Sequence, residues 1–343
     1  MALSRREALA DGTTLSGAVL LGPLQNWLFP LSSGSSSEFR GFSEDEIIAT
    51  ETGVRYLRSW ARQRGGGMAR SAAAAQLRDL SGRLRSVRPG ALRDRAFLAG
   101  AQLSRLVASL AWDAGSHSEA ERYYVLAIQM AYVAGDSGYA ALTLADLARQ
   151  CLDLGRPQDA LELVQLAQYG SRNSGVAKLP AFLFTREAWA FAHLHRSREF
   201  IRAVGQAEDL FAEANSENCP AWLTDFDEAE LFGVLGARYR DMAFVEPRHA
   251  HSAERYTLRA LSLRAEGRIR NRTFDLISLA RSYLIMGEAE QGCFVARKAM
   301  KINDEVLHGR PGRKLKDFLR ELRPYNHTLA SRDFSEYFLH LSN

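Results

Sequence analysis

One step of 40 residues runs through this chain and limits what it can fold into. Gly115-Ser116-His117-Ser118-Glu119-Ala120 is followed 40 residues later by Gly155-Arg156-Pro157-Gln158-Asp159-Ala160. Seven residues beyond each alanine stands another small residue, Ala127 and Ala167. One more step reaches Ala207, with His195 and Phe200 in the earlier slots. A further copy is Gly287-Glu288-Ala289-Glu290-Gln291-Gly292, followed by Ala299. Small residues at a fixed offset let two helices approach closely, and glycine lets the chain turn between them. A period of this length is the mark of stacked helix pairs. Such stacks work as binding surfaces, so the repeat directs the functional argument toward recognition and away from catalysis.

The bulk numbers allow this. Hydrophobic residues make up 46% of 343, ample for a core, and the net charge is only +4. That mild basicity does not imply nucleic acid. The chain has five lysines among 44 cationic side chains, the bias of a GC-rich coding sequence. Cys151, Cys219 and Cys293 are odd in number and far apart, so neither a disulfide framework nor a zinc site is expected. No apolar run reaches the roughly 20 residues a membrane span needs. Arg5-Arg6 before the apolar stretch Leu15 to Leu24 has the outline of a twin-arginine export signal. Asp11, the shortness of the run and Pro23 weigh against it, and the expected location is the cytoplasm.

Four segments are predicted. Residues 1–42 form a lead-in helix and a flexible joint through Ser32 to Ser37. Residues 43–90 form a first helical pair. It opens on the capping box Ser43-Glu44-Asp45-Glu46, breaks at Gly65-Gly66-Gly67 and runs again from about Met68 to Leu84. Residues 91–310 hold the repeats. Helices are expected near 91–114, 118–134, 138–154, 157–170, 180–194, 197–214, 220–243, 249–265, 272–286 and 288–307. Residues 311–343 carry Leu315, Phe318, Leu322, Phe334 and Phe338 and form a cap on the last pair's apolar face. The wider spacing between the third and fourth copies places an insertion near Asn215 to Pro220 and Phe244 to Pro247. No alternating strand pattern appears. The expected fold is all-α: a right-handed helical-hairpin solenoid.

Ala120, Tyr124 and Ala127 behind Gly115, and Ala160, Val164 and Ala167 behind Gly155, resemble the tetratricopeptide repeat in divergent form. The order of segments carries a narrower likeness. It runs from Arg5-Arg6-Glu7-Ala8-Leu9 through Pro23-Leu24-Gln25-Asn26-Trp27-Leu28 and Leu110-Ala111-Trp112-Asp113-Ala114-Gly115. It continues through Trp222-Leu223-Thr224-Asp225-Phe226-Asp227-Glu228-Ala229-Glu230 to Leu322-Arg323-Pro324-Tyr325. Over roughly residues 5–340 this resembles the carboxy-terminal region of actinobacterial helix-turn-helix transcriptional regulators. The resemblance implies a cytoplasmic regulator whose repeats sense a ligand or partner. In that family a DNA-binding module precedes the arginine pair. Residues 1–4 cannot hold one, so no residue is assigned to DNA, which is expected to be met only indirectly or weakly.

Motifs for catalysis are missing. There is no phosphate-cradling glycine loop, no His-Glu-x-x-His and no nucleophile elbow, so no catalytic residue, metal ligand or cofactor is expected. His193 with His195, and His249 with His251, are two apart and would point about 200° apart on a helix. Asp225, Asp227, Glu228 and Glu230 crowd a predicted helix start, where carboxylates meet free amides and the dipole. Two basic zones, Arg62 to Arg95 and Arg310 to Arg323, are diluted by Asp79, Asp94, Asp317 and Glu321 and are expected to be solvated faces.

The candidate binding residues come from register. The first helix of each pair is expected to line a concave groove. The 40-residue step places Arg105 and Trp112, then Arg149, then Trp189, and finally Arg281 on that wall, with Arg238 placed more loosely beyond the insertion. Arginine offers a bidentate fork and tryptophan a large rigid contact area. The expected ligand is a peptide or protein segment, acidic in character, and a homodimer and a small-molecule signal are the further partners considered.

Overall fold

The computed structural model describes residues 42–64, 66–84, 90–214, 219–302 and 309–342. The expected lead-in helix, joint and export-like arginines lie outside them. Among the described residues every regular element is helical and no strand occurs. The chain gathers into two compact units, one ending at Gly175 and one beginning at Val176.

The first unit contains α1 (Glu44–Arg64), α2 (Gly66–Leu84), α3 (Ala91–Asp113), α4 (His117–Val133), α5 (Ser137–Asp153) and α6 (Pro157–Ser171). The capping box forms as predicted. The Glu46 amide donates to Ser43 Oγ at 3.2 Å, and the Ser43 amide donates to Glu46 Oε2 at 2.9 Å. The first two helices part at the glycine run as expected, and the second begins at Gly66, two residues before Met68. First-turn amides need no intrahelical acceptor, so glycine is tolerated there. Each helix packs on the next, and the small residues of the repeat lie at the contacts: Ala120, Ala127, Ala160 and Ala167 are fully buried.

The turns explain the repeat. Gly115, Gly135 and Gly155 have φ of 84°, 74° and 72°, a left-handed conformation that glycine adopts without strain. Each closes a helix with the same pair of backbone bonds. At the first, the Gly115 amide donates to the Trp112 carbonyl at 2.9 Å and the Ser116 amide to the Ala111 carbonyl at 2.9 Å. Gly135–Asp136, Gly155–Arg156, His195–Arg196 and Gly287–Glu288 repeat the pattern, a Schellman closure. The turns at 115, 135, 155 and 195 stand at multiples of 20 residues, so the 40-residue period is two helices of 20. His195 fills the glycine slot with φ of 59°.

The second unit contains α7 (Leu179–His193), α8 (Ser197–Glu213), α9 (Glu228–Ala243), α10 (Ala250–Leu263), α11 (Ile269–Ile285), α12 (Ala289–Lys301), α13 (Gly309–Leu322) and α14 (Leu329–Ser342), with single 3-10 turns at Pro247–His249 and Arg323–Tyr325. The helix expected over 220–243 starts only at Glu228. Asp227 caps it, its Oδ1 accepting from the Glu230 amide at 2.7 Å. Before the cap, the chain turns at Pro220 and Leu223 and buries Leu223 and Phe226. Phe226 meets Phe182 and Phe211 edge-on, each at 5.4 Å between ring centres.

First helices touch one another in series, α7 on α9, α9 on α11 and α11 on α13. Two glycines bring α9 close to its neighbours. A Cβ on Gly236 would lie 2.9 Å from the Thr257 backbone nitrogen, and one on Gly233 would lie 2.6 Å from Asp275 Oδ1. The C-terminal segment forms two helices. Leu315, Phe318 and Leu322 of α13 and Phe334 and Phe338 of α14 join the apolar cluster of α11 and α12, as expected of a cap.

Candidate functional site

The register residues form aromatic–arginine stacks in which a first helix supplies the ring and the first helix of the next pair supplies the cation. In the first unit the guanidinium of Arg149 on α5 lies 4.4 Å from the Trp112 ring centre on α3. In the second, Arg238 on α9 lies 3.5 Å from the Trp189 ring centre on α7. A third stack sets Arg281 on α11 5.2 Å from Phe244, just beyond α9. Cation–π contacts of this kind are worth about 0.5–2 kcal/mol, more as water is excluded. Trp112 and Trp189 are nearly buried beneath their arginines, at 2% and 8% exposure, while Phe244 remains 47% exposed.

What distinguishes the arginines is their counter-charge. Arg105 donates from Nε to Asp146 Oδ2 at 2.7 Å, with its terminal nitrogen at the same distance from that oxygen. Burial alone would lower the Arg105 pKa; Asp146 overrides that and holds it above the usual arginine value. Arg281 donates from Nε to Glu321 Oε2 at 2.8 Å and from its terminal nitrogen to Oε1. Arg238 pairs with Asp241 at 3.1 Å, and Arg240 takes the other oxygen of the same carboxylate. Arg240 also donates to Ser278 Oγ at 3.1 Å. Burial would raise the Asp241 carboxyl, but Arg240, Arg238 and His193 hold it well below the carboxylate range. Arg149 differs from these. No carboxylate among the described residues pairs with it, and its buried Nε has no hydrogen-bond partner among them. Its contact is the Trp112 face.

The sequence placed Arg105, Trp112, Arg149, Trp189, Arg238 and Arg281, but not the carboxylates that answer them. Those were accessible to the same step: Asp146 stands 41 residues beyond Arg105, and Glu321 stands 40 beyond Arg281. His193 follows Trp189 by one helical turn. Trp189 Nε1–H donates to His193 Nε2 at 2.9 Å.

Other clusters are spent within the fold. Asp227 is the α9 cap. Asp225 pairs with Arg268 at 2.9 Å, Glu228 with Arg259 at 3.2 Å, and Glu230 with Arg264 at 2.7 Å. In the first basic zone Arg83 reaches Glu46 at 2.8 Å, Arg95 reaches Glu51 at 3.0 Å and also Glu44, and Arg70 reaches Glu119 at 3.5 Å. In the second, Lys314 lies 3.8 Å from Asp317 and Arg320 pairs with the same carboxylate. His249 is buried between Phe200 and Tyr239, with Ser197 Oγ and Glu246 Oε2 each 3.4 Å from its Nε2. Serine and carboxylate thus meet the same imidazole nitrogen. A relay through the ring needs them on opposite nitrogens.

This is an all-α fold of repeated helical hairpins, with one ring–arginine stack in the first unit and two in the second. No known family profile matches the chain. No curated protein matches it in sequence. Among solved structures it is similar to BtubC (BKLC) from P. vanneervenii, 18% identical, with a TM-score of 0.42 over 78% of this chain and 91% of that one. It is also similar to the apo form of the quorum sensor NprR from B. thuringiensis, 14% identical, with a TM-score of 0.48 over 88% of this chain and 89% of that one. The likeness is one of helical architecture and carries no function across. No helix among the described residues is long and apolar enough to cross a membrane.

Proposed function

We propose that the chain is a non-enzymatic regulatory binding protein whose first unit captures an anionic group of a peptide or protein segment on Arg149. One observation carries this. Of the four register arginines, Arg105, Arg238 and Arg281 have carboxylates within the fold, whereas Arg149 keeps its charge over Trp112 without one among the described residues. A half-buried guanidinium with no counter-ion is costly, and an incoming carboxylate relieves that cost with two charge-assisted bonds. Trp112 holds the fork flat, so less freedom is lost on binding.

The resemblance to actinobacterial regulators supports a role in transcriptional or developmental control in the cytoplasm, with DNA contacted through partners. The pairing of Arg83, Arg95 and Arg320 with carboxylates of the fold fits this, because phosphate binding needs cations that are not already neutralised. The test is fluorescence anisotropy with a library of labelled acidic peptides, each made with a free and an amidated C-terminus. Binding that disappears in Arg149→Ala while helicity is kept supports the proposal. Equal affinity in Arg149→Ala and wild type removes it.

A further inference from the structure

His193 closes α7 at a junction of four charged side chains and one indole. Its Nε2 accepts from Trp189 Nε1–H at 2.9 Å and lies 4.0 Å from Asp241 Oδ2. The ring stands edge-on to Trp189, with 6.1 Å between centres and 64° between planes. Around it α9 presents Asp241, Arg238 and Arg240, and α13 presents Lys314. An indole N–H is a donor only, so the bond to Nε2 exists only while that nitrogen carries a lone pair. The imidazole observed is therefore neutral, with its proton on Nδ1. Its surroundings agree. Loss of water around the ring lowers the His193 pKa from the ordinary histidine value, and Arg238, Lys314 and Arg240 push the same way against Asp241.

We propose that His193 is a proton-operated latch on the Trp189–Arg238 stack. Neutral, it holds the indole. When it takes a proton from solvent at Nε2, donor faces donor and the indole bond breaks. The new N–H finds its acceptor in Asp241, one short ring rotation away. Asp241 already serves Arg238 and Arg240, so the imidazolium competes with Arg238 for it. The cation stacked on Trp189 thereby loses its anchor at the moment the indole loses its acceptor. The side chain of His193 is 36% exposed, so the proton needs no opening of the fold to arrive. The latch stands on this junction alone and does not depend on which ligand Arg149 receives.

The experiment follows the Trp189 indole ¹H–¹⁵N resonance of the full chain by NMR between about pH 8 and pH 5, the range in which histidine titrates. The expected result is a single sigmoid upfield shift as pH falls, with the midpoint of the His193 ring titration. In His193→Gln the amide oxygen accepts the indole N–H but takes no proton, and the shift vanishes. A Trp189 resonance that stays still in the wild type, or moves equally in His193→Gln, overturns the latch. If His193→Gln fails to fold, the wild-type midpoints decide: one shared midpoint supports the latch and two separate ones refute it.

Discussion

Arg238 lays its guanidinium 3.5 Å from the centre of the Trp189 ring and, from the same group, donates to Asp241 at 3.1 Å. The ring orients the cation and the carboxylate neutralises it. Asp241 serves Arg240 as well, so one acidic side chain balances two buried arginines. Asp241→Asn removes the charge and keeps the shape. Uncompensated buried charges cost about 3–5 kcal/mol, so the urea midpoint of the variant should fall sharply. A change under about 1 kcal/mol would show that the cluster is solvated and not a structural tie.

The first unit contains a contrast that one pair of mutants exposes. Arg105→Ala takes the arginine charge away from the nearly buried Asp146 and should destabilise the first unit by about 3 kcal/mol. Arg149→Ala strands no carboxylate among the described residues and loses only its stack on Trp112, about 1 kcal/mol. Yet it should weaken an acidic peptide at least about tenfold, the loss of one charge-assisted bond or more. Thermal unfolding and peptide anisotropy on both proteins separate the two effects.

Close approach at α9 makes a steric prediction. Gly236→Ala places a methyl 2.9 Å from the Thr257 backbone nitrogen and 3.3 Å from the Ala253 carbonyl, neither of which can swing aside. Gly233→Ala meets the ends of Asp275 and Arg264, at 2.6 and 2.7 Å. Those ends are locked, since Arg264 donates to Asp275 at 2.8 and 3.0 Å. Each alanine should cost about 1–3 kcal/mol by overpacking, against the usual helix preference for alanine over glycine. Chemical denaturation of the two variants measures it. A gain in stability at either position contradicts the packing.

His195 is the one non-glycine residue at positive φ among the described residues. Left-handed backbone costs an L-residue about 1–2 kcal/mol, offset in part by glycine's larger entropy in the unfolded chain. His195→Gly should therefore raise stability by about 0.5–1 kcal/mol, and Gly155→Ala, with φ of 72°, should lower it by a similar amount. Paired melting curves decide, and the two shifts must have opposite signs.

Two depressed groups, His193 and Asp241, each withdraw stability as pH falls, while burial raises the Asp275 carboxyl to about 7 and so adds stability as pH falls. The folded His193 pKa lies below the ordinary value, so folding favours its neutral form. Its contribution is complete above about pH 6.5 and is lost as pH falls through the lower folded value. Asp241 is also depressed. Its contribution is complete above about pH 4 and drains away in stronger acid. Stability measured against pH should thus carry two declining steps superposed on the opposing contribution of Asp275. His193→Gln should erase the upper step and leave the lower.

Helices were legible because their closures are local. The Schellman glycines, the Ser43–Glu46 box and the buried alanines each act within one turn or one contact, so their spacing shows in the sequence. Trp112, Trp189 and the arginines were found by counting 40 residues, and Arg238 stacked on Trp189 despite the insertion. Two of the ring–arginine pairs are 37 residues apart, Trp112 with Arg149 and Phe244 with Arg281, and the third is twelve wider. What stayed hidden was neutralisation. Whether an arginine is an open hand or a closed ion pair depends on a carboxylate one hairpin away, as Asp146 and Glu321 show. The start of α9 was misplaced because Leu223 and Phe226 are apolar enough to pass for helix, while Asp227 supplies the stop.

The 20-residue spacing of the first unit's turns has an evolutionary consequence. Each hinge is sealed by its own two amide bonds, so it owes nothing to the hinges beside it. Excising residues 116–155 would splice one sealed hinge directly onto the next, and the shortened ancestor-like chain would keep every surviving helix on its original side. Excising only 116–135 would exchange first helices for second in the pairs that follow within the first unit. Gene duplication acting on such a chain is free to count in forties and is barred from twenties.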